Sequence, residues 1–180
     1  MLDKDGHIKI IDFGLAVDGM NGDKVVSDRT GTFEYMAPEV LQEKPYGKEV
    51  DWWSLGVTLT GMATGRHPFY NGPHKQLLYK AVLKEKPTFP TWLEPDAKHF
   101  LKQLLRKRPQ KRLGVSHNIR EHPFLKDIDW AEIESRRVRP PFLPFMHVPE
   151  LQEHPSLELK LEDSMAADPI PGFSFIGDTE

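Results

Sequence analysis

Apolar positions fall into blocks with different periods along the chain. Ile8-Lys9-Ile10 alternates, the period of a strand, and Asp5-Gly6 before it is a hairpin turn signal, so the first residues predict the end of a small β-hairpin. Ile11 then leads into Asp12-Phe13-Gly14. Residues 16–36 are rich in Gly, Asp, Ser and Thr and predict one long loop, a length that is usually functional or disordered. From Asp51 to Thr64 the apolar residues Trp52, Trp53, Leu55, Val57, Leu59 and Met62 surround a helix rather than line one face. That pattern predicts a buried core helix, too short to cross a bilayer, with Asp51 as its cap. Leu77, Leu78, Ala81 and Val82 recur at helical spacing, as do Ala97, Phe100, Leu101, Leu104 and Leu105. Asp129 followed by Glu132 resembles a capping box opening a short helix. The fold class expected is mainly α, with one small N-terminal β-hairpin.

Composition narrows this picture. The 180 residues carry 24 Lys+Arg against 27 Asp+Glu, a net charge of −3, and are 38% hydrophobic, which suits one globular domain. The absence of Cys excludes disulfide scaffolds, thiol catalysis and Cys-type metal sites. Mild acidity argues against nucleic acid as a partner. The run from Lys98 to Arg112 holds seven Lys/Arg and no acid, and reads as a solvated helix face. The eight His show no ligand spacing, and no metal is assigned to them. No signal pattern or membrane-length apolar run occurs, so a soluble cytoplasmic protein is expected. Seven of the 16 Pro lie after Val138, which divides the chain into a packed body, 1–138, and an extended Pro-rich tail, 139–180.

Four features then occur in order: Asp12-Phe13-Gly14 after a strand, Ala37-Pro38-Glu39 across the loop, Val50-Asp51-Trp52-Trp53-Ser54-Leu55-Gly56-Val57 opening the buried helix, and Lys111-Arg112-Leu113-Gly114 near the end of the body. The ordered set resembles the C-terminal lobe of a eukaryotic protein kinase. The helix motif and the ending Gly172-Phe173-Ser174-Phe175 resemble the AGC group. Arg120-Glu121-His122-Pro123-Phe124, Ile128-Asp129-Trp130 and Arg139-Pro140-Pro141-Phe142 are most similar to protein kinase C of the novel subtype. The parent fold implied is α+β, and the activity implied is transfer of the ATP phosphoryl group to protein Ser/Thr.

The resemblance also implies roles. Asp12 would hold the Mg²⁺ that bridges the ATP phosphates, with Phe13 and Gly14 shaping its turn. Glu39 would pair with Arg112. Asp51 would accept backbone hydrogen bonds from the catalytic loop. Gly31 to Tyr35 would form the substrate platform, with Thr32 nearest the chemistry. Ser174 would be a phosphorylation site in a motif that engages an upstream activating kinase. Asp28 stands where the group carries a phosphorylated Thr, with Ser27 beside it and Val17 where a loop Lys is usual; Asp28 would therefore make the loop independent of phosphorylation. Gly61 replaces a Glu that receives a substrate Arg in several relatives, Ile170 replaces the first Phe of the hydrophobic motif, and the nearest turn-motif candidate is Ser156.

The Gly-rich loop, strand Lys, helix Glu and His-Arg-Asp loop have no counterpart in these residues. The expectation is a kinase fragment that begins just after the catalytic base, inactive by itself and poorly folded or sticky. The alternative is a non-catalytic truncated module that captures partners or upstream kinases.

Overall fold

The computed structural model describes residues 1–20, 24–69, 72 and 74–143. The tail beyond Leu143, with Ser156, Ile170 and the Gly172–Phe175 motif, lies outside the described residues.

Asp5-Gly6 does turn the chain. Gly6 takes φ 86, a left-handed value that suits glycine, and Leu2 bridges Ile8. The Asp3 amide donates to the His7 carbonyl at 2.9 Å and the Lys9 amide to the Met1 carbonyl at 2.8 Å. The expected strand is only this bridge. Ile8 and Ile10 are each 82% exposed, because no third strand among the described residues pairs with them. A Cβ on Gly6 would run into the Phe142 carbonyl, so the start of the tail crosses the hairpin turn.

The segment to Tyr35 is irregular until a 3₁₀ turn at Phe33–Tyr35. Helix α1 (Pro38–Leu41) follows, with Pro at its first position, and then α2 (Glu49–Thr64). Asp51 is not the cap of α2. The helix starts two residues earlier, after Lys48, and Asp51 sits in the first turn, where acidic side chains suit the positive helix end. Gly65, at φ 70, terminates α2 by donating to the Gly61 carbonyl at 2.8 Å.

The expectation that α2 is buried all round is also corrected. Trp53, Gly56, Val57 and Thr60 are buried on one face, while Met62 is 78% exposed. Positions 53, 56, 57 and 60 recur at the helical period, so they share a side. Thr60 is tolerated inside because its hydroxyl donates to the Gly56 carbonyl at 2.7 Å.

Helices α3 (Lys75–Lys84) and α4 (Pro95–Leu104) fall where the apolar spacing predicts them. Leu78, Ala81 and Val82 are buried, with Leu77 outside at 54% exposure; Ala97, Phe100, Leu101 and Leu104 form one buried stripe. Gly56 lets α4 approach α2 closely, since a Cβ there would meet Leu104 Cβ at 2.9 Å. Helix α5 (Trp130–Glu134) is capped by Asp129, whose Oδ1 accepts from the Glu132 amide at 3.1 Å. No helix among the described residues is long and apolar enough to cross a membrane.

Candidate functional site

Asp12 occupies φ 62, a left-handed conformation that a residue with a Cβ rarely adopts. The Gly14 amide approaches its Oδ1 at 3.4 Å, and the Ala16 amide donates to the Phe13 carbonyl at 3.0 Å, so residues 12–16 form a tight turn. The turn leaves the Asp12 carboxylate exposed and Phe13 68% exposed.

Glu39 and Arg112 are 73 residues apart in sequence and meet in the interior. Arg112 Nη1 donates to Glu39 Oε1 at 2.8 Å and Nη2 to Oε2 at 3.1 Å, a two-pronged fork. Nη1 also donates to the Glu49 carbonyl at 2.7 Å, and Nε to the Arg106 carbonyl at 3.1 Å. The guanidinium carbon stands 5.3 Å from the Trp53 ring centroid. Arg112 is 0% exposed. One side chain thereby joins α1, the first turn of α2 and the 106–112 loop. Gly114 completes this corner: at φ 90 it presses on the Trp52 ring, leaving no room for a side chain.

The run expected to be a solvated helix face is therefore interrupted. Besides Arg112, Lys107 is half-buried, its ammonium 4.5 Å from the Phe69 ring centroid and donating to the Val82 carbonyl at the end of α3. Burial pushes its pKa down to about 8.

A cavity of about 350 Å³ lies under the loop and gathers Val17, Gly31, Thr32, Tyr35, Asp51 and Ser54. Ser54 Oγ donates to the Tyr35 carbonyl at 3.0 Å, tying the 3₁₀ turn to α2. The Asp51 carboxylate has no hydrogen-bond partner among the described residues. Although Asp51 is still open to solvent, the surrounding protein pushes its pKa above the usual carboxylate value.

Two residues of this site carry no sequence signal. His67 Nε2–H donates to the Glu34 carbonyl at 2.8 Å, and its Nδ1 accepts from the Phe69 amide at 3.2 Å, which fixes one neutral tautomer. Burial lowers its pKa. Tyr46 pairs with Val26 through reciprocal backbone bonds of 2.9 Å, and its hydroxyl donates to the Asp28 carbonyl at 2.7 Å. His67 and Tyr46 depend on partners 33 and 18 residues away respectively, which no local pattern announces.

A protein kinase domain matches residues 1–125. The chain belongs to the protein kinase family. It is 41% identical to protein kinase C delta type of Mus musculus over 98% of its length, and 45% identical to a RAC family serine/threonine-protein kinase homolog of Dictyostelium discoideum over 80%. RAC-beta serine/threonine-protein kinase of Homo sapiens is likewise 45% identical over 80% of the chain. These similarities place the chain among the AGC serine/threonine kinases. The chain spans 28% of the length of the protein kinase C delta relative and 32% of the RAC homolog.

Within this kinase domain, Asp28 and Ser27 are both exposed, and no cation pairs with either among the described residues. The segment that carries them is instead held from behind by Tyr46. Arg29 reaches toward Glu43 at 3.7 Å.

Proposed function

We propose that this chain carries the metal-binding turn, activation segment and substrate platform of an ATP-dependent protein serine/threonine kinase. The observation that carries the reading is the buried Glu39–Arg112 fork, which fixes the end of the activation segment against α2 while Thr32 and Asp51 line one cavity. Phosphoryl transfer depends on positioning and charge neutralisation rather than covalent help from the protein, so a rigid platform is what these residues would supply.

Asp12 suits one Mg²⁺: its carboxylate is exposed, presented by a strained turn, and only weakly engaged by Gly14. The ion would neutralise the ATP phosphates. Phe13 and Gly14 shape that turn. Asp51, with an unpartnered carboxylate above α2, would accept backbone N–H groups of a catalytic loop. Asp28 would provide a permanent charge where relatives depend on phosphate, with Ser27 unneeded. Ser174 would be phosphorylated and, with the hydrophobic motif, engage an upstream kinase. Protein Ser/Thr segments would be the substrates, in the cytoplasm.

The test is a chimera in which the region of protein kinase C delta preceding the aligned residues is fused to this chain. It should phosphorylate a Ser/Thr peptide, and Asp12→Asn should reduce kcat by about a hundred-fold or more. A folded chimera that is inert, or whose Asp12→Asn variant keeps full activity, overturns the reading. Asp28→Asn should cut its activity several-fold, whereas Ser27→Ala should not. The 180-residue chain alone should show no Mg·ATP binding by calorimetry, because a single carboxylate lacks the clamp that holds the nucleotide.

A further inference from the structure

Two histidines 23 residues apart meet beside α4. His99, exposed on α4, and His122, buried after it, stack with ring centroids 5.0 Å apart, and His99 Nδ1 stands 2.9 Å from His122 Nε2. The placement of their protons follows from one backbone group. The Phe124 amide can only donate, and it donates to His122 Nδ1 at 3.1 Å. The His122 proton is therefore on Nε2, which donates to His99 Nδ1. That leaves the His99 proton on Nε2, 3.2 Å from the side-chain amide of Gln103 one turn along α4, which accepts it when Oε1 is the atom presented. Each hydrogen bond of the row fixes the direction of the next, and the row closes only with both rings neutral. A second proton on His122 Nδ1 would face the Phe124 N–H. One on His99 Nδ1 would face the His122 N–H.

The row joins α4 to the 3₁₀ turn Pro123–Leu125, which His122 caps. Arg120, just before that turn, pairs with Glu134 at 2.6 Å and stands 4.9 Å from the Trp130 ring centroid, so α5 is tied to the same segment. Beyond α5 the chain crosses the hairpin turn at Gly6. The histidine pair is thus one of the holds on the stretch that leads into the Pro-rich tail. On α4, Asp96 and Lys102 lie three positions before and after His99 and share its face. Burial is the main cause that keeps His122 neutral; His99 adds to it and the Asp96 carboxylate opposes it. On the side of the turn, Arg120 is taken up by Glu134, and Glu121 accepts from the Asn118 side chain at 3.1 Å. The Phe100 ring, 5.0 Å from the His122 centroid, supplies an apolar wall.

We propose that His99 and His122 form a pH-operated latch: with both rings neutral they clamp the 119–125 segment to α4, and uptake of a proton by the pair releases that segment while α2 and the core stay folded. A released histidine takes a proton at its ordinary pKa of about 6.5, whereas the closed row has no place for one. The latch is therefore closed above about pH 6.5 and opens as pH falls below it. One released ring of ordinary pKa makes the open form about ten-fold more populated at pH 5.5 than at pH 7.5.

Amide hydrogen exchange on the whole 180-residue chain, corrected for the intrinsic effect of pH on exchange, tests this. Between about pH 7.5 and 5.5, protection of the Phe124, Leu125 and Lys126 amides should fall about ten-fold or more. Amides of Val57 and Thr60 in α2 should remain at least about ten-fold better protected than these, with far-UV circular dichroism unchanged. His122→Asn puts an amide oxygen close to the place of Nδ1, where it accepts from Phe124 at every pH, and should abolish the response. His99→Asn, at an exposed position, should move the response to lower pH, because the oxygen that replaces Nδ1 takes no proton. A merely structural His122 would be indifferent to that change. His117→Asn, at an exposed histidine outside the pair, should alter nothing. Protection of Phe124 that ignores pH overturns the proposal, as does a response that survives both His122→Asn and His99→Asn. So does loss of protection to the same level in α2, which would be global acid unfolding. If His122→Asn does not fold, His99→Asn decides alone, and an unmoved response overturns the latch.

Discussion

Replacing Arg112 by lysine keeps the charge and removes the geometry, which isolates what the fork contributes. Arginine makes four hydrogen bonds here: two to the Glu39 carboxylate at 2.8 and 3.1 Å, one to the Glu49 carbonyl at 2.7 Å and one to the Arg106 carbonyl at 3.1 Å. A lysine ammonium is a single point and cannot reach both carboxylate oxygens and the Arg106 carbonyl together. It forfeits at least one charged and one neutral bond, about 1.5–3 and 0.5–1.5 kcal/mol respectively, so Arg112→Lys should destabilise by about 2–4 kcal/mol. Arg112→Ala should cost more, about 3–5 kcal/mol, because Glu39 is then buried without a counter-charge. Against a typical domain stability of about 5–15 kcal/mol, either loss is a large fraction. Urea unfolding followed by tryptophan fluorescence and far-UV circular dichroism measures it. Trp53 lies 5.3 Å from the guanidinium, so its emission reports the local change. In a double-mutant cycle Glu39→Gln and Arg112→Lys should be strongly non-additive. A loss below about 1 kcal/mol for Arg112→Lys would refute the claim that the fork, rather than the surrounding apolar packing, holds this corner.

Acid should weaken the fold. His67 and His122 both have pKa values lowered chiefly by burial, and His122 Nδ1 accepts from the Phe124 amide at 3.1 Å while its Nε2 faces His99 Nδ1 at 2.9 Å, so both rings are held neutral. The unfolded chain then binds protons more readily, and stability is complete above about pH 6.5 and falls as pH drops below it; urea midpoints at neutral and mildly acidic pH should show the slope, and His122→Asn should flatten it. Gly56→Ala forces a Cβ to within 2.9 Å of Leu104 Cβ and should cost about 1–3 kcal/mol by overpacking α2 against α4, read as a lower thermal midpoint. Tyr46→Phe removes the hydroxyl that holds the Asp28 carbonyl and should speed proteolysis within residues 24–30 with little change in global stability; unchanged cleavage would show that the Val26–Tyr46 backbone pairing suffices.

Local pattern was enough for the parts of this protein whose cause is local. The 3.6-residue recurrence of Leu78, Ala81 and Val82 and of Phe100, Leu101 and Leu104 placed α3 and α4, and Asp129 with Glu132 placed the start of α5, since capping is decided within one turn. The ordered motifs from Asp12 to Gly114 were enough for the family. The face that α2 buries was not legible. Apolar residues surround it, and only the arrival of α4 at Gly56 and of Arg112 at Trp53 selects Trp53, Val57 and Thr60 for the interior and leaves Met62 outside. Nor was the start of α2, where an aspartate that resembles a cap lies inside the first turn. The alternation at Ile8-Lys9-Ile10 did not become a sheet, because a strand needs partners the hairpin alone does not supply. The tethers made by Tyr46 and His67 and the cations around Phe33 join residues distant in sequence. Their geometry is set by how the helices pack, so only the tertiary structure decided them.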